Sequence, residues 1–299
     1  DMLDYAVEVE HYDMHLGRIL AALEKAGQLE NTLIVATSDH GMPFPRCKGQ
    51  AYDYSNHIPL AIRWPKGIQG RNRTVVDFVN FTDLAPTFLQ AAGVKKIAPI
   101  MQPMSGRSLF DIFGSPQSGQ VIASRDHVLL GKERHDVGRP NNQGYPIRGI
   151  RKGDHLYLHN FEPGRWPVGN PETGYLNTDA SPIKTLLLNQ RRQGNYKYWQ
   201  LNFGKRPAEE LFNVKTDRDC VKDLAGTKAQ AALKASLKKQ LFAELKKQGD
   251  PRMFGRGDVF EKYGFASDMW DQFYEKYQRG EKIRTGWVLP SDYEKEKLD

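Results

Sequence analysis

The order of sequence periodicities predicts an α/β fold: an amphipathic helix, two apolar strands and a second helix follow one another within the first hundred residues. Two later observations add a smaller α+β subdomain. RGIRKGDHLYLHN (residues 148–160) alternates like a hairpin, and from Leu233 a lysine-rich stretch repeats leucine at positions 233, 237, 241 and 245.

The first helix is expected over residues 3–26. Tyr5, Val9, Tyr12, Leu16, Ile19, Leu20 and Leu23 recur at spacings of three and four, and Gly27 ends the pattern. Leu33–Thr37 then reads as a buried strand. Ile58–Trp64 reads as a second strand, stopped by the proline and glycine of PKG. Val75–Phe81 reads as a short strand or extended segment. Thr82 or Asp83 can cap the next helix, which carries Pro86 in its first turns, Phe88, Leu89 and Ala92 along it, and Gly93 at its end. A chain that opens in a helical pattern with no strand before it reads as the late part of a sheet. From about residue 115 the texture changes to long polar loops, then Glu210–Val214 as a short strand, then the lysine-rich helix. The expected division is therefore residues 1–115 and 116–299.

Composition narrows the function classes. The 299 residues contain no apolar run of about 18, so no membrane-spanning helix and no membrane partner are expected. Cys47 and Cys220 lie far apart with no CxxC pair, which favours two thiols over a disulfide and excludes a cysteine zinc site. The formal net charge of +7 is mild: it suits an anionic ligand without identifying one. Part of that charge lies on the solvated face of the leucine-repeat helix, where amphipathic periodicity explains it without nucleic acid.

The chemistry gathers at the end of the first strand, in SDHGMPFPRCKGQ (residues 38–50). In open α/β sheets ligands collect at the carboxyl ends of strands. Asp39 is a hard oxygen donor for a cation, His40 is an adjacent second donor, Gly41 lets the backbone bend away, and Lys48 is a point charge suited to a sulfate or phosphate oxygen. A polar turn would account for Asp-His-Gly alone, so the pattern by itself leaves both readings open.

Longer blocks carry a resemblance. YDMHLGRILAALEKAG, ENTLIVATSDHG, KGQAYDYSNHIPLAIRWPKGI, FTDLAPTFLQAAGV, GRSLFDIF, YPIRGIRKGDHLYLHNFEP and EELFNVKTDRDCVKDLAG occur in that order. Together they resemble type I, formylglycine-dependent sulfatases of the alkaline phosphatase superfamily over nearly the whole chain. SDHGMPFPRCKG, ERHD and NFEPGRW are most similar to the heparan N-sulfatase-like branch. The resemblance implies an alkaline-phosphatase-like mixed sheet flanked by helices, of which this chain is the late part. It implies hydrolysis of sulfate esters or sulfamates on a sulfated glycan, with a periplasmic or secreted location. It makes Asp39 and His40 metal ligands and Lys48 the catalytic contact to sulfate. The implied metal is divalent, calcium first; because such enzymes often have Asn where His40 stands, manganese and magnesium stay open. The implied nucleophile is formylglycine made from a C/S-x-P-x-R motif. No such motif occurs in this chain, and Cys47 is followed by Lys48, so the nucleophile is expected on a missing N-terminal segment, which becomes a necessary partner.

Four further residues are candidates for substrate contact: His57, and His135, Asp136 and Arg148 in or near the stretch KERHDVGRPNNQGYPIR. A buried hydrogen-bonded histidine and a solvated ion-paired loop are the plainer readings. Trp166 and Tyr175 suit stacking on sugar rings, with ordinary packing the alternative; Arg165 suits a sulfate or uronate. His11 and His15, one helical turn apart, are expected on the surface or in packing. Two rival functions remain: a phosphodiesterase or phosphonate hydrolase of the same superfamily, and a non-catalytic glycan-binding fragment.

Overall fold

The computed structural model describes residues 1–95 and 102–298. Its helices are α1 (Met2–Lys25), α2 (Asp53–Asn56), α3 (Leu84–Ala91), α4 (Phe110–Phe113), α5 (Pro182–Arg192), α6 (Lys197–Phe203), α7 (Ala231–Lys247) and α8 (Phe273–Gln278). Its strands are β1 (Ile34–Thr37), β2 (Leu60–Arg63), β3 (His127–Lys132), β4 (Ile147–Lys152), β5 (His155–Asn160) and β6 (Glu209–Asn213). The chain divides into two compact units: Asp1–Ser38 with Pro59–Val128, and Asp39–Ile58 with Leu129–Asp299. The single expected boundary after residue 115 misses that residues 39–58 go with the second unit.

In the first unit, β1 and β2 pair antiparallel, with Ile34 opposite Arg63 and Thr37 opposite Leu60. β1 was expected to be buried; all four of its residues are only half-buried. Residues 75–81 form no named strand, and Phe81 already begins a 3-10 turn: Val75 makes a parallel bridge to Gly119, and the Phe78 amide donates to the Arg125 carbonyl at 2.9 Å. Asp83 stands at the N-cap position of α3, as expected, but its side chain makes no cap hydrogen bond there; the capping box belongs to the 3-10 turn Phe81–Asp83 just before it. The Asn80 side chain accepts from the Thr82 amide at 3.0 Å, and Asp83 accepts from the Asn80 amide at 3.2 Å, closing a capping box. Leu109, Ile112 and Phe113 form this unit's core. α1 has no buried residue.

In the second unit, β3-β4-β5-β6 form one four-stranded sheet. The alternating stretch 148–160 folds into the expected antiparallel hairpin, Lys152 facing His155 across Gly153–Asp154. Burial follows from a period of two with both faces covered. Ile150, Tyr157 and Leu211 turn to one face, where Leu237, Leu241 and Leu245 of α7 cover them. Ile147, Leu156, Leu158 and Phe212 turn to the other, against Ala51 and Tyr52. The segment after Lys48 is thus bolted to the sheet by its own apolar residues. The α/β class holds, with strands in a two-stranded and a four-stranded sheet, β1–β2, β4–β5 and β5–β6 paired antiparallel, and helices beside them.

Candidate active site

The turn carrying Lys48 is built by backbone and by Arg46. The Lys48 amide donates to the Met42 carbonyl at 3.1 Å, and Ser55 Oγ donates to the Cys47 carbonyl at 2.6 Å. Arg46 adopts a left-handed φ of 69°. Its guanidinium donates to the carbonyls of Asp219 (3.0 Å), Leu201 and Cys220, with its carbon 4.0 Å from the Tyr52 ring centre. Gly41 is needed for space: a Cβ there would lie 1.7 Å from the Tyr54 carbonyl oxygen. Gly49, at φ +72°, faces both limits; a Cβ would meet Asn177 O at 2.7 Å and the His135 ring at 3.1 Å. Lys48, Gly49, His135 and Asn177 therefore converge.

Four of the expected site residues share this place. Lys48 Nζ donates to Asp179 Oδ2 at 2.6 Å, both side chains about three-quarters buried. His135 keeps an exposed edge. Desolvation of the rest of its ring, then the charges of Lys132, Lys48 and His40, pull its pKa below the ordinary 6.5, so it is neutral at pH 7. Asp136 is pushed up to about 6, first by burial and then by the Asp179 carboxylate; the Val137 amide, donating to it at 2.8 Å, and Lys48 oppose the rise. His40 Nδ1 lies 2.6 Å from the Gly41 carbonyl and donates to it, and Nε2 stands 3.6 Å from Asp39 Oδ2.

Cis donors on a divalent ion with bonds of about 2.4 Å stand about 3.4 Å apart, so the Asp39–His40 spacing fits two positions of one coordination shell. Among the described residues no group of three or more His, Cys, Asp or Glu surrounds such an ion. These two residues supply part of a shell, one oxygen and one nitrogen.

Other expected contacts lie elsewhere. Arg148 is spent on structure: it donates to Asp250 at 2.6 Å, to Glu133, and to the carbonyls of Lys132 and Ile147. Glu133 is held again by Arg252 at 2.6 Å. Such a buried network fixes the start of the 133–146 loop and occupies four of the five Arg148 donors. His57 is exposed and pairs with Asp53 at 3.4 Å. Trp166 and Tyr175 are core residues rather than sugar platforms. Trp166 packs on Trp199, and fully buried Tyr175 lies against Phe203 with its hydroxyl between Trp199 and Glu294. Arg165 is taken by Glu261 and the Gly144 carbonyl. Both cysteines are free, buried thiols, as expected, with Cys220 pushed up to about 12 by burial. His11 and His15 are exposed, their Nε2 atoms 2.7 Å apart.

Asp179 and Arg46 were missed. Nothing in the sequence NTDASP marks Asp179, because its partner Lys48 is distant in sequence and only the fold joins them. Arg46 acts through carbonyls, which carry no side-chain signature.

The chain is similar to known proteins. Residues 1–94 match the Sulfatase family model. An ulvan-active sulfatase of Formosa agariphila is 26% identical over 268 residues, 88% of this chain and 41% of that protein. An N-acetylglucosamine-6-O-sulfatase of Bacteroides thetaiotaomicron is 41% identical over 162 residues, 53% of this chain and 27% of that one. A solved structure in complex with its substrate D-glucosamine-2-N,6-O-disulfate superposes with a TM-score of 0.53 at 23% identity, over 81% of this chain and 40% of the other; that likeness concerns the fold. The chain spans less than half the length of each.

Proposed function

We propose that this chain, whose residues 1–94 match the Sulfatase family model, is part of a sulfatase and has a role in hydrolysing sulfate esters or sulfamates on a sulfated glycan. The observation that carries the reading is the convergence of Lys48, His40, His135 and Asp136, beside Asp39, within one unit. The nucleophile, a formylglycine, belongs in this reading to sequence outside these 299 residues, and the working protein is exported to the periplasm or beyond the cell.

Asp39 and His40 would hold the divalent ion, calcium by preference, which supplies positive charge to the sulfate oxygens. The chain's own residues do the rest. The Lys48 ammonium pairs with a sulfate oxygen and neutralises charge gathering there as the S–O or S–N bond breaks. His135, neutral at working pH, gives or accepts a hydrogen bond without adding a cation. Asp136 accepts from a sugar hydroxyl and so orients the ring. Arg148 and His57 have no part in this reading.

The test is release of inorganic sulfate from sulfated glucosamines by the full-length protein with calcium, against release of phosphate from aryl phosphate diesters. Lys48→Ala should lower kcat by about 10²–10³-fold, the usual loss when a charge-stabilising group is removed. Phosphate release without sulfate release would assign the protein to the phosphodiesterases; unchanged turnover in Lys48→Ala would remove Lys48 from the site.

A further inference from the structure

We propose that Asp179 is a latch on Lys48: a positioning residue that holds the ammonium in the resting site and exchanges it with a sulfate oxygen during turnover. The idea rests on the sulfatase reading above and adds what becomes of the lysine when no sulfate is bound.

Three observations support it. Among the described residues the Asp179 carboxylate is the one hydrogen-bond partner of the Lys48 ammonium, at 2.6 Å. An ammonium has three donors, so one carboxylate leaves room for a second anion. The carboxylate is presented from a braced backbone. Fully buried Lys184 donates to the carbonyls of Gly174 (2.9 Å) and Thr178 (2.7 Å) and pairs with Asp292 at 3.1 Å. On the other side of Asp179, the Ala180 amide donates to the Trp287 carbonyl at 2.7 Å. Finally, Asp179 stands among the site's charged groups, since its field reaches both His135 and Asp136.

A physical consequence follows from these positions. A lysine with no counter-ion would hold substrate sulfate and product sulfate alike, and binding them equally well adds nothing to turnover. A fixed carboxylate competes with both. It weakens ground-state and product binding, keeps the lysine stem in place, and recaptures the ammonium as sulfate leaves. Asp179 therefore acts through Lys48 and touches no reacting atom.

The experiment measures inorganic sulfate affinity by titration calorimetry, and kcat and KM on a 6-O-sulfated glucosamine, in the full-length calcium-loaded protein. Asp179→Asn should bind sulfate about fivefold more tightly, because a competing charge is gone, while kcat falls about tenfold, because the lysine is no longer held. Asp179→Glu, which restores the carboxylate, should return both values to within about twofold of the parent. If Asp179→Asn loses its cooperative thermal transition, Asp179→Ser takes its place with the same expectation. A variant that loses kcat with no gain in sulfate affinity, and is not rescued by Glu, shows a merely structural aspartate and overturns the latch. A parent protein that releases sulfate from neither esters nor sulfamates, yet gains sulfate affinity in Asp179→Asn, overturns the sulfatase reading and with it the exchange during turnover, leaving only the competition of Asp179 with bound sulfate for Lys48. Silence of the parent in both assays overturns both.

Discussion

α1 and α7 are written in the same code and end in opposite circumstances. Each carries apolar residues at spacings of three and four. In α7 the resulting stripe is buried: Leu241 is 0% exposed against Ile150, Tyr157 and Leu211. In α1 no member of the stripe is buried: Leu16, Leu20 and Leu23 are half-buried, and Val9, Tyr12 and Ile19 are exposed. Periodicity measures the capacity of a helix to bury one face; it does not say whether a partner is there. The same contrast separates β5, whose two faces are covered, from β1, which is half-buried throughout. The candidate site lies in the unit whose elements found their partners.

The largest effect that sharpens this comparison is Leu241→Ala. Removing a fully buried side chain from a two-faced core should cost about 2–5 kcal/mol in denaturant unfolding of the second unit. A cost below about 1 kcal/mol would mean that the α7 stripe is no better packed than that of α1.

Next is Gly41→Ala, which forces a Cβ toward the Tyr54 carbonyl. Overpacking of this kind should cost about 1–3 kcal/mol. It should also displace His40, readable as altered chemical shifts of the imidazole.

pH dependence comes third, and the two acids to follow have opposite signs. Glu209 is pulled down to about 2, first by the hydrogen bond from Lys238 at 2.8 Å and also by Lys234 and Tyr157, against the cost of burial. Its contribution is complete above the ordinary 4.5 and is lost as pH falls from there toward 2. Asp136, pushed up to about 6, binds its proton more tightly when folded. Its contribution is complete below 3.8 and is lost as pH rises through 6. Glu209→Gln should flatten the acid limb of the stability curve, and Asp136→Asn the limb between pH 4 and 6. Identical limbs in parent and variants would remove these assignments.

The smallest effect is Val7→Ala. An exposed apolar residue without a partner should change stability by no more than about 0.5 kcal/mol. A larger loss would show that α1 is buried in solution.

Much of the site was legible because its residues are neighbours in sequence. Asp39, His40 and Lys48 sit within ten positions at the end of an apolar strand, so strand polarity alone brings their chemistry to one place. The 148–160 hairpin was legible for a similar reason: a period of two with Gly153 at its turn has one short-range solution. Arg148 was offered to substrate, and Trp166 and Tyr175 were left between sugar stacking and packing, because a residue type states what a side chain can bind, not whether the fold has already used it.

The sequence by itself therefore determined the local elements, the family resemblance and the donor pair with its nearby lysine. All of these depend on residue type and short spacing. Only the tertiary structure decided that Asp179 meets Lys48 and that His135 and Asp136 stand beside them. It also committed Arg148 to Glu133 and Asp250, and buried the leucine stripe of α7 while leaving the apolar stripe of α1 half-buried or exposed. The physical reason is the same in each case. Ion pairing and burial are properties of distances between groups remote along the chain, and those distances exist only once the sheet and its loops have closed.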